Sequence, residues 1–252
     1  MRPLSAGVLV VLALALRVSA GAGDPAARDT TVAADWVAEP TAESFPVELG
    51  SFATTLAGSN AARTANVRLA AEALDGVVLD PGAELSFNER VGARTTERGY
   101  QIAPVILREQ RQLQLGGGIC QVASTLFDAA LLAGLTPVER WRHSSPVDYV
   151  ALGEDATIAW GYKDLRLRNE LDRAVRVRVS VVGATLLAHV DGVAPNPLTY
   201  ELVTDGRDVP AASDDHLPGR EVELYRVAYA GGAEVGRELV HRDLYASARR
   251  AR

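Results

Sequence analysis

The chain has 252 residues, 48% of them apolar and 23% charged, with a formal net charge of −6. This mix excludes wholesale disorder and collagen-like repeats, and a single cysteine excludes a disulfide-stapled scaffold. The mild acidity gives no general pull toward nucleic acid or anionic lipid, so no nucleic-acid partner is expected.

The chain opens with Arg2, a 13-residue apolar run over 4–16 and the small-residue pattern Val18-Ser19-Ala20. This is the layout of a secretory signal peptide, so residues 1–20 are expected to be cleaved and the protein exported to the periplasm or extracellular envelope. The run falls short of the roughly 20 residues of a membrane helix. Membrane contact is expected only through this segment, if it stays uncleaved. Residues 21–45 are rich in Ala, Gly, Asp, Pro and Thr without periodicity and read as a flexible linker.

From near Pro46 the pattern is that of a folded domain. A helix is predicted over 60–75, with Asn60 as its cap, Val67, Ala70, Ala71 and Leu74 on one apolar face, and Gly76 as its stop. Pro81-Gly82 marks a turn. A second helix is predicted over Ile119–Ala133 by apolar residues at three- and four-residue spacing, entered through Gly116-Gly117-Gly118 and ended by Gly134. Past Pro137 the pattern turns to strands. Val175–Val182 and 186–190 pair through Gly183-Ala184, and 221–229 and 234–240 pair through Gly231-Gly232. The Asp/Pro-rich stretch 205–218 reads as a loop, and 246–252 as a frayed tail. The predicted fold class is α+β. A single main domain over 46–197 packs the helix after the glycine loop on antiparallel β-strands, and a β-rich extension over 198–245 ends in a C-terminal β-hairpin.

Cys120, the only thiol, stands in the first turn of the second predicted helix. Free N–H groups and the partial positive charge of a helix start both favour a thiolate, the nucleophilic form of cysteine. Gly117 and Gly118 can bring backbone N–H groups close to a developing oxyanion. A cysteine nucleophile wants a base. His143, shortly after the helix, is a better candidate than His189 in an apolar strand, His216 in an acidic loop or His241 near the chain end. A third group should orient the imidazole; Asp155 leads, with Asp164 and Asn169 as possible support. There is no His pair at helical spacing and no second cysteine, so neither a metal site nor a cofactor is expected.

These residues stand in motifs. Gly116-Gly117-Gly118-Ile119-Cys120-Gln121-Val122-Ala123-Ser124-Thr125-Leu126 and 139–149, centred on Trp141-Arg142-His143-Ser144-Ser145-Pro146, resemble the signature of the VanW family. Gly153-Glu154-Asp155-Ala156-Thr157, Asp164-Leu165, Asn169, Arg63 with Asn66, Ser86-Phe87-Asn88 and Gly99-Tyr100 fit as well. The resemblance covers roughly 47–192. It departs at Leu85, Ala123 and Ala151, none of which touches the cysteine or the histidine.

What the resemblance implies is an exported, cysteine-dependent L,D-transpeptidase-like acyl transferase whose partners are peptidoglycan stem peptides. Arg140, Ser144 and Tyr149 are then expected to contact the stem. Two other readings stand beside it: a papain-like cell-wall cysteine peptidase or amidase, for which 23 residues from Cys120 to His143 is a short gap, and a non-catalytic wall-binding module.

Overall fold

The computed structural model describes residues 44–107, 110–211, 213 and 218–245. The signal expected over 1–20, nearly all of the linker expected over 21–45, and the tail expected over 246–252 lie outside the described residues.

Strand β1 (Val47–Thr55) leads to helix α1 (Ala61–Leu74), the short strands β2 (Val78–Leu79) and β3 (Glu84–Ser86), and the short helix α2 (Phe87–Val91). The pair β4 (Ile102–Leu107) and β5 (Gln110–Leu115) precedes helix α3 (Ile119–Ala133) and β6 (Thr136–Glu139). A long irregular segment follows, then β7 (Arg166–Arg168), β8 (Val175–Val182), β9 (Thr185–Gly192), β10 (Thr199–Val209), β11 (Gly219–Ala230) and β12 (Ala233–Tyr245). The sheets run β1-β9-β8-β2, β3-β7-β6, β10-β11-β12 and β4-β5. All their strand pairs are antiparallel. The fold is α+β, with mainly antiparallel strands and few helices. None of the described helices is long and apolar enough to cross a membrane.

Helix α3 is the centre of the core. Gly118 precedes it at φ 105° and Gly134 follows it at φ 90°, left-handed conformations that glycine adopts without steric cost. Between them the sequence is apolar almost all round, the pattern of a helix enclosed on every side. Val122, Leu126, Phe127 and Leu131 are fully buried. α3 packs on β1, β9 and α1. A helix so enclosed must bond its polar groups internally. Gln121 Nε2 donates to Thr54 Oγ1 and Thr55 O, both at 2.9 Å. Thr125 Oγ1 donates to Gln121 O at 2.7 Å and lies 2.8 Å from Thr54 Oγ1. These bonds lock the first turns of α3 to the end of β1, and so fix where Cys120 stands.

Helix α1 begins at Asn60, whose Oδ1 accepts the Arg63 N–H at 2.8 Å. Its buried face is Asn66, Val67, Ala70, Ala71 and Leu74. Asn66 brackets Gln101, donating to its carbonyl at 2.9 Å and accepting its N–H at 2.8 Å, and also donates to Gly117 O at 3.0 Å. One buried amide thus ties α1 to the glycine loop.

The hairpin expected near the C-terminus is present as β11 and β12, within a three-stranded sheet that has β10 as its third member. One expectation needs correction. Residues 205–209, expected in a loop, belong to β10. Their polar composition is tolerated because this end of the strand is exposed, and cross-strand pairs hold it: Arg207–Glu221 at 2.7 Å and Arg220–Asp208 at 3.1 Å. The sheet also buries Leu224 and Val227, and Arg226 Nη1 donates to Leu135 O at 2.7 Å, just after α3.

β1 crosses α3 at Gly50 with no room for a side chain. A Cβ there would stand 2.4 Å from Ala133 N and 2.6 Å from Leu132 C, backbone atoms that cannot swing aside. Gly50→Ala is therefore expected to lower the unfolding free energy by about 1–3 kcal/mol through overpacking. Urea unfolding followed by circular dichroism measures it; an unchanged midpoint would contradict the close approach of β1 to α3.

Candidate active site

Cys120 is half-buried, in the first turn of α3. Its Sγ lies 3.6 Å from Ile158 O, and the thiol and the His143 imidazole are near enough for each to shift the other's proton affinity. His143 stands on the irregular segment after β6 and is buried. Its Nδ1 lies 2.6 Å from Asp155 Oδ2, and its own backbone N–H donates to the same oxygen at 2.6 Å. Of the three groups considered for the third position, Asp155 is the one set against His143. Asp164 instead accepts from Ser86 Oγ at 2.5 Å and from the N–H groups of Asn88 and Leu165. Asn169 donates to Leu79 O and Arg173 O and accepts from Leu171 N, closing a buried turn.

Asp155 is 2% exposed, yet four donors meet it. Besides the two from His143, Tyr245 Oη donates to Oδ1 at 2.5 Å and Arg140 Nη2 to Oδ1 at 3.1 Å. Burial would raise its pKa, but the His143 hydrogen bond and the Arg140 charge overrule it and bring the carboxyl down to about 2. Burial likewise opposes charge on His143. The hydrogen bonds to Asp155 and Cys120 win, and its pKa rises to about 9. Burial pushes the Cys120 thiol up, while the His143 hydrogen bond and charge, with the Arg94 charge farther off, hold it below its ordinary 9.0. The arrangement favours a thiolate beside an imidazolium, the form in which a cysteine attacks a carbonyl.

Ser124, one turn after Cys120, ties the helix to the Asp155 segment. Its Oγ donates to Cys120 O at 3.0 Å and accepts the Ala156 N–H at 2.8 Å. Tyr149 sets its ring edge-on to His143, with centroids 6.4 Å apart at 82°. Burial and the nearby Cys120 charge raise its phenol well above 10, so Tyr149 faces the thiolate as a neutral group.

These side chains meet in a cavity of about 790 Å³. Cys120, His143, Ser144, Tyr149 and Gly118 line it, as do Arg63, Arg94 and Lys163. Gly117 lies behind the lining, where a Cβ would come within 2.5 Å of Ala103 O. Arg140, expected at the substrate, is placed otherwise. Its side chain is 6% exposed and occupied by Asp155, by Asp243 at 2.5 Å and by the Asp155 and Gly153 carbonyls. It holds the carboxylate from behind. Other histidines serve elsewhere: His189 pairs with Glu48 at 2.7 Å, and His241 lies 2.8 Å from Gly153 O. Burial first, and then the Arg140 charge, pull His241 down to about 4, which keeps it neutral. His216 lies outside the described residues.

Sequence reasoning missed Tyr245 and Asp243, which reach Asp155 and Arg140 from β12, about 90 residues on from Asp155. No local pattern marks them. It also gave no role to Arg94, Ser124 or Arg63, although Arg63 and Ser124 stood within the recognised motifs.

A half-buried Cys–His–Asp chain, opening on a cavity at the start of an enclosed helix, defines the site of this α+β protein. The family profile described as VanW like protein matches residues 62–190, and the chain belongs to the VanW family. Over 140 residues it is 41% identical to the uncharacterized protein YoaR of Bacillus subtilis (strain 168), an alignment covering 56% of this chain and 46% of that protein. Over 181 residues it is 25% identical to the vancomycin B-type resistance protein VanW of Enterococcus faecalis (strain ATCC 700802 / V583), covering 70% of this chain and 66% of that one. The matched region thus spans about half to two thirds of the length of these relatives. No solved structure matches. The family match ends before β10, so Tyr245 and Asp243 lie beyond it.

Two outcomes are expected. Tyr245→Phe removes the donor to Asp155 and leaves the Gly153 N–H, now bonded to Tyr245 Oη at 3.1 Å, without its acceptor. Unfolding free energy should drop by about 1–2 kcal/mol, measurable by urea titration.

The second outcome concerns pH. Asp155, depressed from 3.8 to about 2, stabilises the fold fully above 3.8, and that contribution is lost as pH falls through about 2. It amounts to about 2 kcal/mol. His143, raised from 6.5, stabilises fully below 6.5 and loses this as pH rises through about 9. Cys120, lowered from 9.0, contributes in the opposite sense, fully above 9.0 and less as pH falls. The two act in opposite senses, so the loss of stability as pH rises from 6.5 to about 9 should be shallower than His143 alone would give. Urea titrations across pH should find an acid slope that Asp155→Asn reduces.

Proposed function

We propose that this protein is an exported cysteine acyl transferase of the cell envelope, acting on peptidoglycan stem peptides in the manner of an L,D-transpeptidase. The observation that carries this reading is the grouping of Cys120 with His143, itself bonded to buried Asp155, at a peptide-sized cavity. Membership of a family that includes a protein named for vancomycin resistance adds the connection to the wall. The apolar 4–16 run and the small residues up to Ala20 support export.

In this mechanism the Cys120 thiolate attacks the carbonyl of the third stem residue. Charge moves to the carbonyl oxygen, where N–H groups at Gly118 and the start of α3 receive it. The His143 imidazolium gives its proton to the departing amine, D-alanine leaves, and a thioester remains. An amine of a neighbouring stem then attacks the thioester. Neutral His143 takes the proton, the thiolate departs, and a new amide joins the two stems. Asp155 keeps the imidazole in one tautomer and orientation throughout. Dividing one acyl transfer into two steps lowers each barrier. Ser144 and Tyr149 face the peptide, while Arg140 acts through Asp155.

The test is mass spectrometry of muropeptides after incubation with the mature protein. Cross-linked dimers lacking the donor's terminal D-alanine are expected. Trimming without cross-links would indicate a peptidase, and no reaction with an unreactive thiol a binding module. Cys120→Ser should abolish turnover with the fold retained by circular dichroism. His143→Ala should reduce it by about a hundred- to ten-thousand-fold. Full activity in folded Cys120→Ser would sink the nucleophile assignment.

A further inference from the structure

The cavity around Cys120 is unevenly charged. Its lining carries Arg63, Arg94 and Lys163 against one carboxylate, Asp148. Two of these cations are engaged within the protein. Arg63 Nη2 donates to Gln121 Oε1 at 2.6 Å, and Lys163 Nζ sits 5.5 Å from the Trp141 ring centroid. Arg94 is held differently. Its guanidinium lies between the Phe87 and Trp160 rings, 5.8 and 5.7 Å from their centroids. Nη1 donates to Gly92 O at 3.0 Å, and the aliphatic stem lies so close to Gly116 that a Cβ there would be 3.0 Å from Arg94 Cγ.

The fork is therefore fixed in direction, but Nη2 is buried and has no hydrogen-bond partner among the described residues. A buried cationic donor left without an acceptor is costly and calls for one. Arg94 and Cys120 both line this cavity.

We propose that Arg94 is the receptor for a carboxylate of the acyl donor, so that the cavity selects peptides carrying a carboxylate near the carbonyl that Cys120 attacks and rejects their amides. The proposal rests on the acyl-transfer reading above and names the substrate feature that reading leaves open. A planar guanidinium held between two rings presents its donors in one plane, the geometry a carboxylate accepts. The same positive charge that draws the anion also supports the thiolate. Trp160, which covers one face of the guanidinium, is half-exposed on the tight turn closed by Ala159 and Lys163.

Two measurements test this. The first is the rate of Cys120 alkylation by anionic iodoacetate and by neutral iodoacetamide in the wild type, Arg94→Met and Arg94→Lys. The ratio of the two rates cancels any change in thiolate fraction. It is expected to fall about tenfold in Arg94→Met, and less in Arg94→Lys, which keeps the charge and loses the fork. An unchanged ratio in folded Arg94→Met overturns the proposal. If that variant does not fold, an unchanged ratio in Arg94→Lys does so.

The second is calorimetric binding of a tetrapeptide stem, as its C-terminal carboxylate or carboxamide, to Cys120→Ser with Arg94 intact or changed to Met. The acid should bind about tenfold tighter than the amide, and only with Arg94 present. Equal affinities overturn the receptor even if the wild type turns the peptide over. An Arg94-dependent preference without turnover supports the receptor and overturns the acyl-transfer reading instead.

Discussion

Asp155 is a carboxylate almost wholly removed from water, and it keeps its charge because donors from two separate parts of the chain converge on it. His143 supplies a ring nitrogen and a backbone N–H, Arg140 a guanidinium and Tyr245 a phenol. A buried carboxylate with fewer partners would take up a proton. As a neutral acid it would no longer hold the imidazole charged beside Cys120. Asp128 on α3 illustrates that alternative. It is fully buried, both its oxygens lack hydrogen-bond partners among the described residues, and burial with the nearby Glu154 raises its pKa well above the ordinary value. Two aspartates in one core thus have proton affinities shifted in opposite directions, decided by the donors around each.

This convergence explains why the C-terminal sheet is bound so closely to the rest. β12 brings Asp243 to Arg140 and Tyr245 to Asp155 and Gly153. Arg140 lies between two carboxylates, Asp155 and Asp243, so the positive and negative charges in this buried network are nearly balanced. Removing any one member would leave another charge uncompensated, which is why such networks behave as units. The orientation of His143 therefore depends on residues outside the family-matched region.

Position along α3 does the rest. Gly118 turns the chain into the helix, Gln121 pins the first turn to β1, and Ser124 reaches across to Ala156 beside Asp155. Successive turns of one enclosed helix thereby set Cys120 at the cavity and fix the backbone that carries its partner. Rigid elements hold such a geometry better than loops do, and here the irregular segment from Arg140 to Ile158 is stiffened by its bonds to α3 and β12.

Much of this was readable in the chain itself. The bounds of α3 follow from an apolar run between glycines, and the cap of α1 from Asn60, because both depend on residues close in sequence. The pair β8 and β9 follows from β-branched residues around Gly183. Cys120, His143 and Asp155 could be named as a set from residue type and motif. Their distances could not, and neither could the placing of Arg140 behind the carboxylate rather than in the cavity. The third strand of the C-terminal sheet was hidden because the polar residues 205–209 are held by cross-strand ion pairs rather than by an apolar face. Tyr245, Asp243 and Arg94 carried no local signal at all. A tyrosine in an alternating strand and an arginine in a loop look alike wherever they occur. Only folding brings the first to a buried carboxylate and leaves the second, between two aromatic rings, with a donor unmet.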